Sequence, residues 1–180
     1  KNFIGRKKIF PNVGKSSLAN KILGYDRVIV SPMSGTTRDS VDIQFERDGK
    51  RYVMIDTAGI KRPGKVEEDL DKFAVVRSED ACRRSDIILL LIDASEGLVS
   101  QDVHVSNYAM EYGKPVIIIV NKWDLHSHGQ DDQRNFEKEL KAYFKFLDFA
   151  PVVFISALTG SNIQRIFQAL DEVNETIHKT

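Results

Sequence analysis

Several features that would place a chain in a specialised class are scarce in this sequence. It contains one cysteine, Cys82, which excludes a disulfide framework and a cysteine-based zinc site. Lys+Arg and Asp+Glu number 26 each, so the net charge is zero, and a general electrostatic attraction to nucleic acid or to an anionic membrane is not expected. The longest apolar run, Ile87–Ile92, is too short to cross a bilayer, and the first residues carry no signal-peptide core. We therefore expect a soluble, cytoplasmic protein.

The composition is that of an ordinary folded domain. The chain has 180 residues and a mass of 20.4 kDa, of which 42% are hydrophobic and 29% charged. This balance allows a packed core and argues against disorder. With neither a repeat nor a low-complexity linker, residues 1–180 are expected to form a single domain.

Three strongly apolar runs predict buried strands. They are Ile87–Asp93, Val116–Asn121 and Val152–Ser156, and each ends in a polar residue. Continuous apolar runs are typical of strands in a parallel sheet that helices cover on both faces. Helices are predicted between and after them, at roughly 100–112, 133–146 and 162–179, and Gly113 followed by Pro115 indicates a helix end. The alternation predicts an α/β fold.

The first half of the chain predicts an antiparallel pair beside this parallel set. Val41, Ile43 and Phe45 alternate with polar residues, Asp48-Gly49 is a hairpin signal, and Tyr52–Ile55 forms a second strand. The expected fold is thus a three-layer α/β structure with a mostly parallel sheet and one antiparallel edge strand. Ligands of such sheets bind at the carboxyl ends of the strands, where Asp56, Asp93, Asn121 and Ser156 fall.

A phosphate-binding loop is predicted near the N-terminus. Gly14-Lys15-Ser16-Ser17 precedes a helical stretch, 16–23, that is expected to stop at Gly24. In such loops, backbone N–H groups at a helix start surround phosphates, the lysine reaches the β- and γ-phosphate oxygens, and the serine hydroxyl binds Mg²⁺. A chance Gly-Lys-Ser at a helix start is the alternative.

The full loop motif requires a glycine five residues before Gly14, where this chain has Ile9. Removing Lys7–Phe10 would join Ile4-Gly5-Arg6 to Pro11-Asn12-Val13-Gly14 and complete the motif. The departure is therefore an insertion of four residues in the loop, a true replacement of the glycine, or an error in the recorded stretch. Ile9 is a poor substitute where a glycine permits positive φ and close approach to a phosphate.

Two further segments suit a triphosphate and its metal ion. Asp56-Thr57-Ala58-Gly59 follows a strand, so Asp56 can hold Mg²⁺ through water and the Gly59 amide can meet a γ-phosphate. Gly35-Thr36-Thr37-Arg38-Asp39 lies in a loop, where Thr37 can complete the Mg²⁺ shell and respond to the γ-phosphate.

The base-recognition signals follow the last two strands. In Asn121-Lys122-Trp123-Asp124, the Asp124 carboxylate can accept from the N1-H and 2-amino donors of guanine, while Asn121 addresses the opposite edge. The Lys122 stem can cover the plane of the base. Ser156-Ala157-Leu158 offers backbone amides to the guanine carbonyl. Trp123 is predicted to pack beside the pocket, Cys82 is predicted to pack in a helix, and His126 and His128 are assigned to a solvated loop rather than to a metal site.

These five segments, in this order, resemble the Ras-like GTPase superfamily across essentially the whole chain. Pro11–Ser16, Gly35–Asp39 and Asp56–Ile60 are similar to the bacterial Era/TrmE/EngA group. Asn121–Asp124, Gly64-Lys65-Val66 and Phe146–Pro151 most resemble the second GTPase domain of EngA, also called Der. The resemblance implies a GTP-binding and slowly GTP-hydrolysing switch that was cut from a longer chain with another GTPase domain and a KH-like domain. It also implies a role in large ribosomal subunit assembly, with the ribosome, rRNA and the neighbouring domains as partners.

The resemblance assigns functional residues in three overlapping sets. Nucleotide contacts fall on Asn12, Val13, Gly14, Lys15, Ser16, Ser17, Asp56, Gly59, Asn121, Lys122, Asp124, Ser156, Ala157 and Leu158. The expected catalytic residues are Asn12, Lys15, Thr37 and Gly59. The Mg²⁺ ligands are Ser16, Thr37 and, through water, Asp56.

Potassium is an expected further cofactor. Ile60 stands where Ras-type enzymes place a water-orienting glutamine, so another group must stabilise charge between the β- and γ-phosphates. The resemblance to potassium-activated members of the group implies that the Asn12 side chain ligates K⁺ there; the alternative is that Asn12 only shapes the loop. Two rival functions are a nucleotide-sensing binding module with negligible turnover and an ATPase.

Overall fold

The structure is a computed structural model, and it describes residues 3–9, 15–25, 27–28, 42–55, 79–97, 100–126 and 130–179. The strands are β1 (Phe3–Ile9), β2 (Arg27–Val28), β3 (Ile43–Arg47), β4 (Lys50–Ile55), β5 (Ile87–Asp93), β6 (Val116–Asn121) and β7 (Val152–Phe154). The helices are α1 (Lys15–Tyr25), a helical segment over 79–84 that we call α2, α3 (Ser100–Glu111), α4 (Gln130–Tyr143) and α5 (Ile163–His178). Short 3₁₀ turns span Trp123–Leu125 and Lys145–Leu147.

The strands form one sheet in the order β2-β3-β4-β1-β5-β6-β7. Strands β4, β1, β5, β6 and β7 are parallel neighbours, whereas β3 runs antiparallel to both β2 and β4. This confirms the predicted α/β fold with a mostly parallel sheet and an antiparallel edge. The two-residue strand β2 beyond β3 was not predicted, because two residues are too few to show a period of two.

Both faces of the central strands are buried. Ile87, Leu89 and Leu91 of β5 pack in a cluster with α1 and α5, while the alternate residues Ile88, Leu90 and Ile92 pack in a second cluster with α2, α3 and α4. Every residue of β5 and β6 is buried. This explains why the two strands are continuous apolar runs rather than alternating ones.

The turns that glycine was predicted to make are present. Asp48 and Gly49 both have positive φ, 51° and 74°, as a two-residue hairpin between β3 and β4 requires. Gly113, with φ of 58°, follows the end of α3. Gly24 does not end α1, which continues to Tyr25, so the expected stop at that residue was wrong.

Helix α4 begins three residues before its expected start and ends three residues before its expected end. Asp131 and Asp132 lie in its first turn, where carboxylates favour a helix N-terminus. The chain then tightens into the 3₁₀ turn Lys145–Leu147, and the Leu147 N–H donates to the carbonyl of Phe144 at 2.8 Å. The segment 133–146, which was predicted to be one helix, therefore belongs partly to α4 and partly to this 3₁₀ turn.

Of the four residues that interrupt the phosphate-loop motif, Lys7–Ile9 lie in strand β1, and Phe10 lies outside the described residues. Lys7 and Lys8 pair with both β4 and β5, and Ile9 pairs with Leu89. The register with β4 shifts between Phe3 and Arg6, so the irregularity is on the N-terminal side. Residues 7–9 thus extend the strand, and Ile9 is its last residue before 10–14 and helix α1. The loop itself, residues 10–14, lies outside the described residues.

Cys82 and Trp123 have the packing roles predicted for them. The Cys82 side chain is fully buried in α2, and Trp123 is 8% exposed within the α4 side of the core. None of the described helices is both long enough and apolar enough to cross a membrane.

Candidate nucleotide site

The carboxyl ends of β5, β6 and β7 lie side by side. The last residues of β5 and β6, Asp93 and Asn121, are directly paired. The Ile155 N–H, just beyond β7, donates to the carbonyl of Val120 at 2.8 Å. Three segments therefore meet at this edge, and we call them the β5 turn (93–97), the β6 loop (121–126) and the β7 loop (156–162).

Asn121 joins the β6 loop to both neighbours. Its side chain is 2% exposed, and its Oδ1 accepts from the Ala157 N–H at 2.9 Å. Its carbonyl accepts from the Ala94 N–H at 2.9 Å. The Asn121 oxygen is thus engaged within the chain, and its first role here is to hold the β7 loop against the β6 loop.

Lys122 adopts a strained backbone conformation. Its φ of 61° and ψ of 30° place it in the left-handed region, which costs a residue with a Cβ about 1 kcal/mol or more. Its Nζ lies 2.5 Å from Asp93 Oδ2. Backbone strain of this kind persists where surrounding contacts over-determine it, most often at functional sites.

Asp93 is a buried carboxylate held by the β5 turn. It is 3% exposed, and its Oδ1 accepts from the Ser95 N–H at 2.8 Å and from the Ser95 hydroxyl at 2.6 Å. Burial by itself raises the pKa of this carboxyl, but Lys122 and Ser95 together outweigh it, so the pKa is below its ordinary value. The same pairing raises the pKa of Lys122, with smaller contributions from Glu96 and Asp124. Both groups are therefore charged at neutral pH.

Asp124 has an unused acceptor. It lies in the 3₁₀ turn after Lys122, and its Oδ1 is buried with no hydrogen-bond partner among the described residues. A buried carboxylate oxygen without a donor is costly and calls for one from a ligand or an ordered water. Guanine offers two adjacent N–H donors of the kind this oxygen requires.

The β7 loop is ordered by its own hydrogen bonds. Ser156 is 1% exposed, its N–H donates to the Ser161 carbonyl at 3.1 Å, and its hydroxyl accepts from the Thr159 N–H at 3.2 Å. Ala157 is buried, whereas Leu158 is 78% exposed. A cavity of about 190 Å³ opens beside this loop, and Trp123, Asp124, Phe154, Ile155, Ser156, Thr159, Ser161 and Asn162 line it.

The predicted phosphate residues are described only in part. Lys15 is the first residue of α1, Ser16 follows it, and Ser17 is exposed, so all three occupy the helix N-terminus where phosphates bind. The other predicted phosphate and metal residues, Asn12, Val13, Gly14, Thr37, Asp56 and Gly59, lie outside the described residues.

The sequence did not predict two contacts of the β6 loop with the β5 turn. One is the Asp93–Lys122 ion pair. The other is His126, which stacks on Trp123 at 4.8 Å between ring centroids and whose Nε2 lies 2.7 Å from the Ala94 carbonyl oxygen. The sequence did contain a signal for the ion pair, because Asp93 ends a fully apolar strand. A carboxylate that is buried in such a place requires a cation nearby.

The family profile described as "50S ribosome-binding GTPase" matches residues 9–122, from the end of β1 to Lys122. The chain belongs to this GTPase family. The match covers the segments from the phosphate loop to the first residues of the base-recognition motif, and it agrees with the order of motifs in the sequence.

The curated relatives of the chain include GTPases named Der. The chain is 47% identical over 175 residues to GTPase Der of Bacillus cereus and 50% identical over 172 residues to that of Lactobacillus acidophilus. These alignments include 97% and 96% of the chain but only 39% of each relative, so the chain spans about two fifths of their length. They confirm the resemblance to the EngA, or Der, GTPases.

A solved structure shares the fold. It is described as a crystal structure of Era in complex with MgGDPNP and nucleotides 1506–1542 of 16S ribosomal RNA. It is 33% identical, with a TM-score of 0.66, and the alignment includes 97% of this chain and 56% of the Era chain. This confirms the Ras-like GTPase fold.

Proposed function

We propose that the chain is one GTPase domain of a longer Der-type protein and corresponds to the second of its two GTPase domains. The relatives are more than twice as long as the matched segment, which supports a piece of a larger chain. Gly64-Lys65-Val66 and Phe146–Pro151 support the choice of the second domain. In this proposal residues 1–180 form a single domain that binds GTP and GDP and hydrolyses GTP slowly.

The observation that carries guanine binding is the buried, unpartnered Oδ1 of Asp124. It directly follows Trp123, in a loop that Asn121 fixes to the β7 loop through Ala157. An acceptor-only group in this place favours guanine, which presents N–H donors on that edge, over adenine, which does not.

The metal proposal rests on the chemistry of the donor set. Ser16 and Thr37 supply hydroxyl oxygens, and Asp56 supplies a carboxylate that acts through water. Hard oxygen donors with retained waters are what Mg²⁺ prefers beside substrate phosphates. Bound there, Mg²⁺ would neutralise charge on the β- and γ-phosphates, and Lys15 would contact the same oxygens.

Potassium is proposed as a second cation, with Asn12 as its side-chain ligand. Ile60 offers no hydrogen bond to an attacking water, so hydrolysis needs a fixed positive charge near the bridging oxygen. Thr37 and Gly59 would respond to the γ-phosphate and change position after hydrolysis, which makes the domain a switch.

The biological role that we propose is in assembly of the large ribosomal subunit in the cytoplasm. The description of the family and the Der name of the relatives support it. The Era structure supports rRNA as a class of partner, since that protein was crystallised with ribosomal RNA. Contacts with the ribosome are assigned mainly to domains outside this chain.

Single-turnover hydrolysis at saturating GTP separates the switch from the nucleotide-sensing module. We expect phosphate release that is slow, requires Mg²⁺, and is faster in potassium than in sodium at equal ionic strength. Asn12→Ala should remove the potassium effect. Tight GTP binding without phosphate release would favour the sensing module, and equal rates in both salts would refute the potassium site.

A further inference from the structure

A buried ion pair joins the end of strand β5 to the loop that is proposed to bind the base. Asp93 is the last residue of β5, and its neighbour across the sheet is Asn121, the residue just before Lys122. The two segments are therefore connected twice. Their backbones pair in the sheet, and their side chains are joined by the ion pair. No motif of the sequence assigns a role to Asp93.

The β5 turn fixes the orientation of the Asp93 carboxylate. The two contacts from Ser95 go to Oδ1. Oδ2 is left facing Lys122, and the ammonium of Lys122 forms an ion pair with it. Within the described part of the chain Oδ2 has no other polar partner, so Lys122 compensates its burial.

The lysine is held from both ends. Its left-handed backbone fixes the direction in which the side chain leaves the loop, and the ion pair fixes the ammonium. Its side chain is still 39% exposed, so the stem between these two fixed points keeps an open face. A freely rotating lysine would lose much more side-chain entropy when a ligand packs on it.

A second contact fixes the β5 turn itself. The Ala94 N–H donates to the Asn121 carbonyl, and the Ala94 carbonyl oxygen faces His126 Nε2. His126 in turn stacks on Trp123, which packs against Phe136 and Phe154 in the core. Ala94, the residue before Ser95, thus contacts the β6 loop on both sides of Lys122.

We propose that Asp93 is a positioning residue for guanine nucleotide binding, which acts by holding the Lys122 side chain in place as a wall of the base pocket beside Asp124. The inference rests on the proposed nucleotide function. Asp93 touches no nucleotide in this arrangement; it acts through Lys122. Asp124 determines which base binds, whereas Asp93 determines how long the base stays.

The test measures release of a fluorescent mant-GDP from the full chain. Asp93→Asn is nearly isosteric and keeps an acceptor for Ser95, but it presents an amide N–H₂ to the Lys122 ammonium. We expect release about tenfold faster than in the parent. Asp171→Asn breaks the Lys50–Asp171 ion pair (2.8 Å) between β4 and α5 by the same substitution, and it should leave the release rate unchanged.

A double-mutant cycle distinguishes positioning from general destabilisation. Lys122→Met removes the ammonium, so Asp93→Asn should accelerate release far less in that background than in the parent. Full additivity of the two changes would overturn the proposal, as would a release rate for Asp93→Asn equal to the parent's. A parent chain that does not bind mant-GDP would instead refute the proposed function.

Ser95→Ala keeps the proposal testable if Asp93→Asn does not fold. It removes the hydroxyl contact to Oδ1 and keeps the backbone one, so we expect about two- to threefold faster release. Thermal unfolding of each variant without nucleotide gives its stability. An unchanged release rate in Ser95→Ala, or acceleration that persists at full size in a Lys122→Met background, would contradict a role through the lysine.

Discussion

The β5 turn and the β7 loop flank the β6 loop, and they satisfy their polar groups in opposite ways. On the β5 side, Asp93, Ser95 and His126 find their partners within the chain. On the β7 side, a cavity opens beside Ser156, and Asp124 at its wall has a buried oxygen without a partner in the described structure. In the function that we propose, the first side positions Lys122 and the second accepts hydrogen bonds from the base.

This difference shows that two buried carboxylates at one edge of a sheet can differ in whether they are available to a ligand. Asp93 is the more buried acid, but its charge is balanced by Lys122 before any ligand arrives. Asp93 Oδ2 and Asp124 Oδ1 both lack a hydrogen-bond donor in the described structure, but only Asp93 Oδ2 has a cation, Lys122, within ion-pair distance there. A buried acceptor that has neither a donor nor a cation, rather than depth of burial, therefore indicates the group that contacts a ligand.

The largest effect is expected at the receiving side. Asp124→Asn places an amide donor where the 2-amino group of guanine needs an acceptor, so GTP affinity should fall at least about tenfold. Xanthosine triphosphate, which has a carbonyl at that position, should bind better than to the parent. Competition against a fluorescent nucleotide measures both, and an unchanged preference for GTP would remove base recognition from Asp124.

The next effect tests the link between the two sides. Asn121→Ala removes the acceptor of the buried Ala157 N–H, which should lower the free energy of unfolding by about 1–3 kcal/mol. Thr159→Ala is the matched control, because the exposed Thr159 Oγ1 also accepts from a backbone N–H, that of Ser161 at 3.2 Å in the β7 loop. Urea unfolding should show the smaller loss for the control; equal losses would mean that the Ala157 contact does not stabilise the edge.

A smaller effect concerns the pH range over which the Asp93–Lys122 pair stabilises the fold. The pKa of Asp93 is lowered on folding, so its contribution is complete above the unfolded value of about 3.9 and is lost as the pH falls through the folded value. The pKa of Lys122 is raised, so its contribution is complete below about 10.4 and is lost at higher pH.

Accordingly, the difference in unfolding free energy between the parent and Asp93→Asn should be constant from about pH 5 to 9. On the acid side it should shrink only below about pH 3.9, and on the alkaline side only above about pH 10.4. Urea titrations at a series of pH values provide the measurement. A difference that already declines between pH 7 and 5 would show that Asp93 is not held in its charged form by this pair.

The smallest effect comes from an ion pair that is not buried. Glu137 and Lys141 lie one turn apart on α4 at 2.8 Å, and both side chains are more than one third exposed. Glu137→Gln should change the free energy of unfolding by only about 0.3–0.5 kcal/mol and should leave nucleotide release unchanged. A loss of unfolding free energy as large as that caused by Asp93→Asn would show that the exposed ion pair stabilises the fold as much as the buried one.

The sequence predicted the fold where the periodic signal was long. β5 and β6 were predicted with their exact ends because burial on both faces leaves an uninterrupted apolar run that stops at Asp93 or Asn121. Strand β2 gave no signal at two residues, and α1 passed through Gly24 because the helix tolerates a glycine there without positive φ.

The residues that are proposed to recognise the base could be predicted because each follows a strand in a fixed order, which a linear pattern records. The Asp93–Lys122 pair was missed because it depends on sheet register and on a left-handed backbone at Lys122. Neither is visible in a motif. The engagement of Asn121 Oδ1 by Ala157 is likewise a contact across 36 positions that only the folded sheet creates.

Competition between GTP and ATP for the site in the parent chain tests the central claim most directly, that an acceptor-only group at Asp124 selects guanine. A site built around buried hydrogen bonds rejects a ligand that cannot make them, so GTP should displace mant-GDP at concentrations at least about a hundredfold lower than ATP. Displacement by ATP at the same concentrations as GTP would contradict the account.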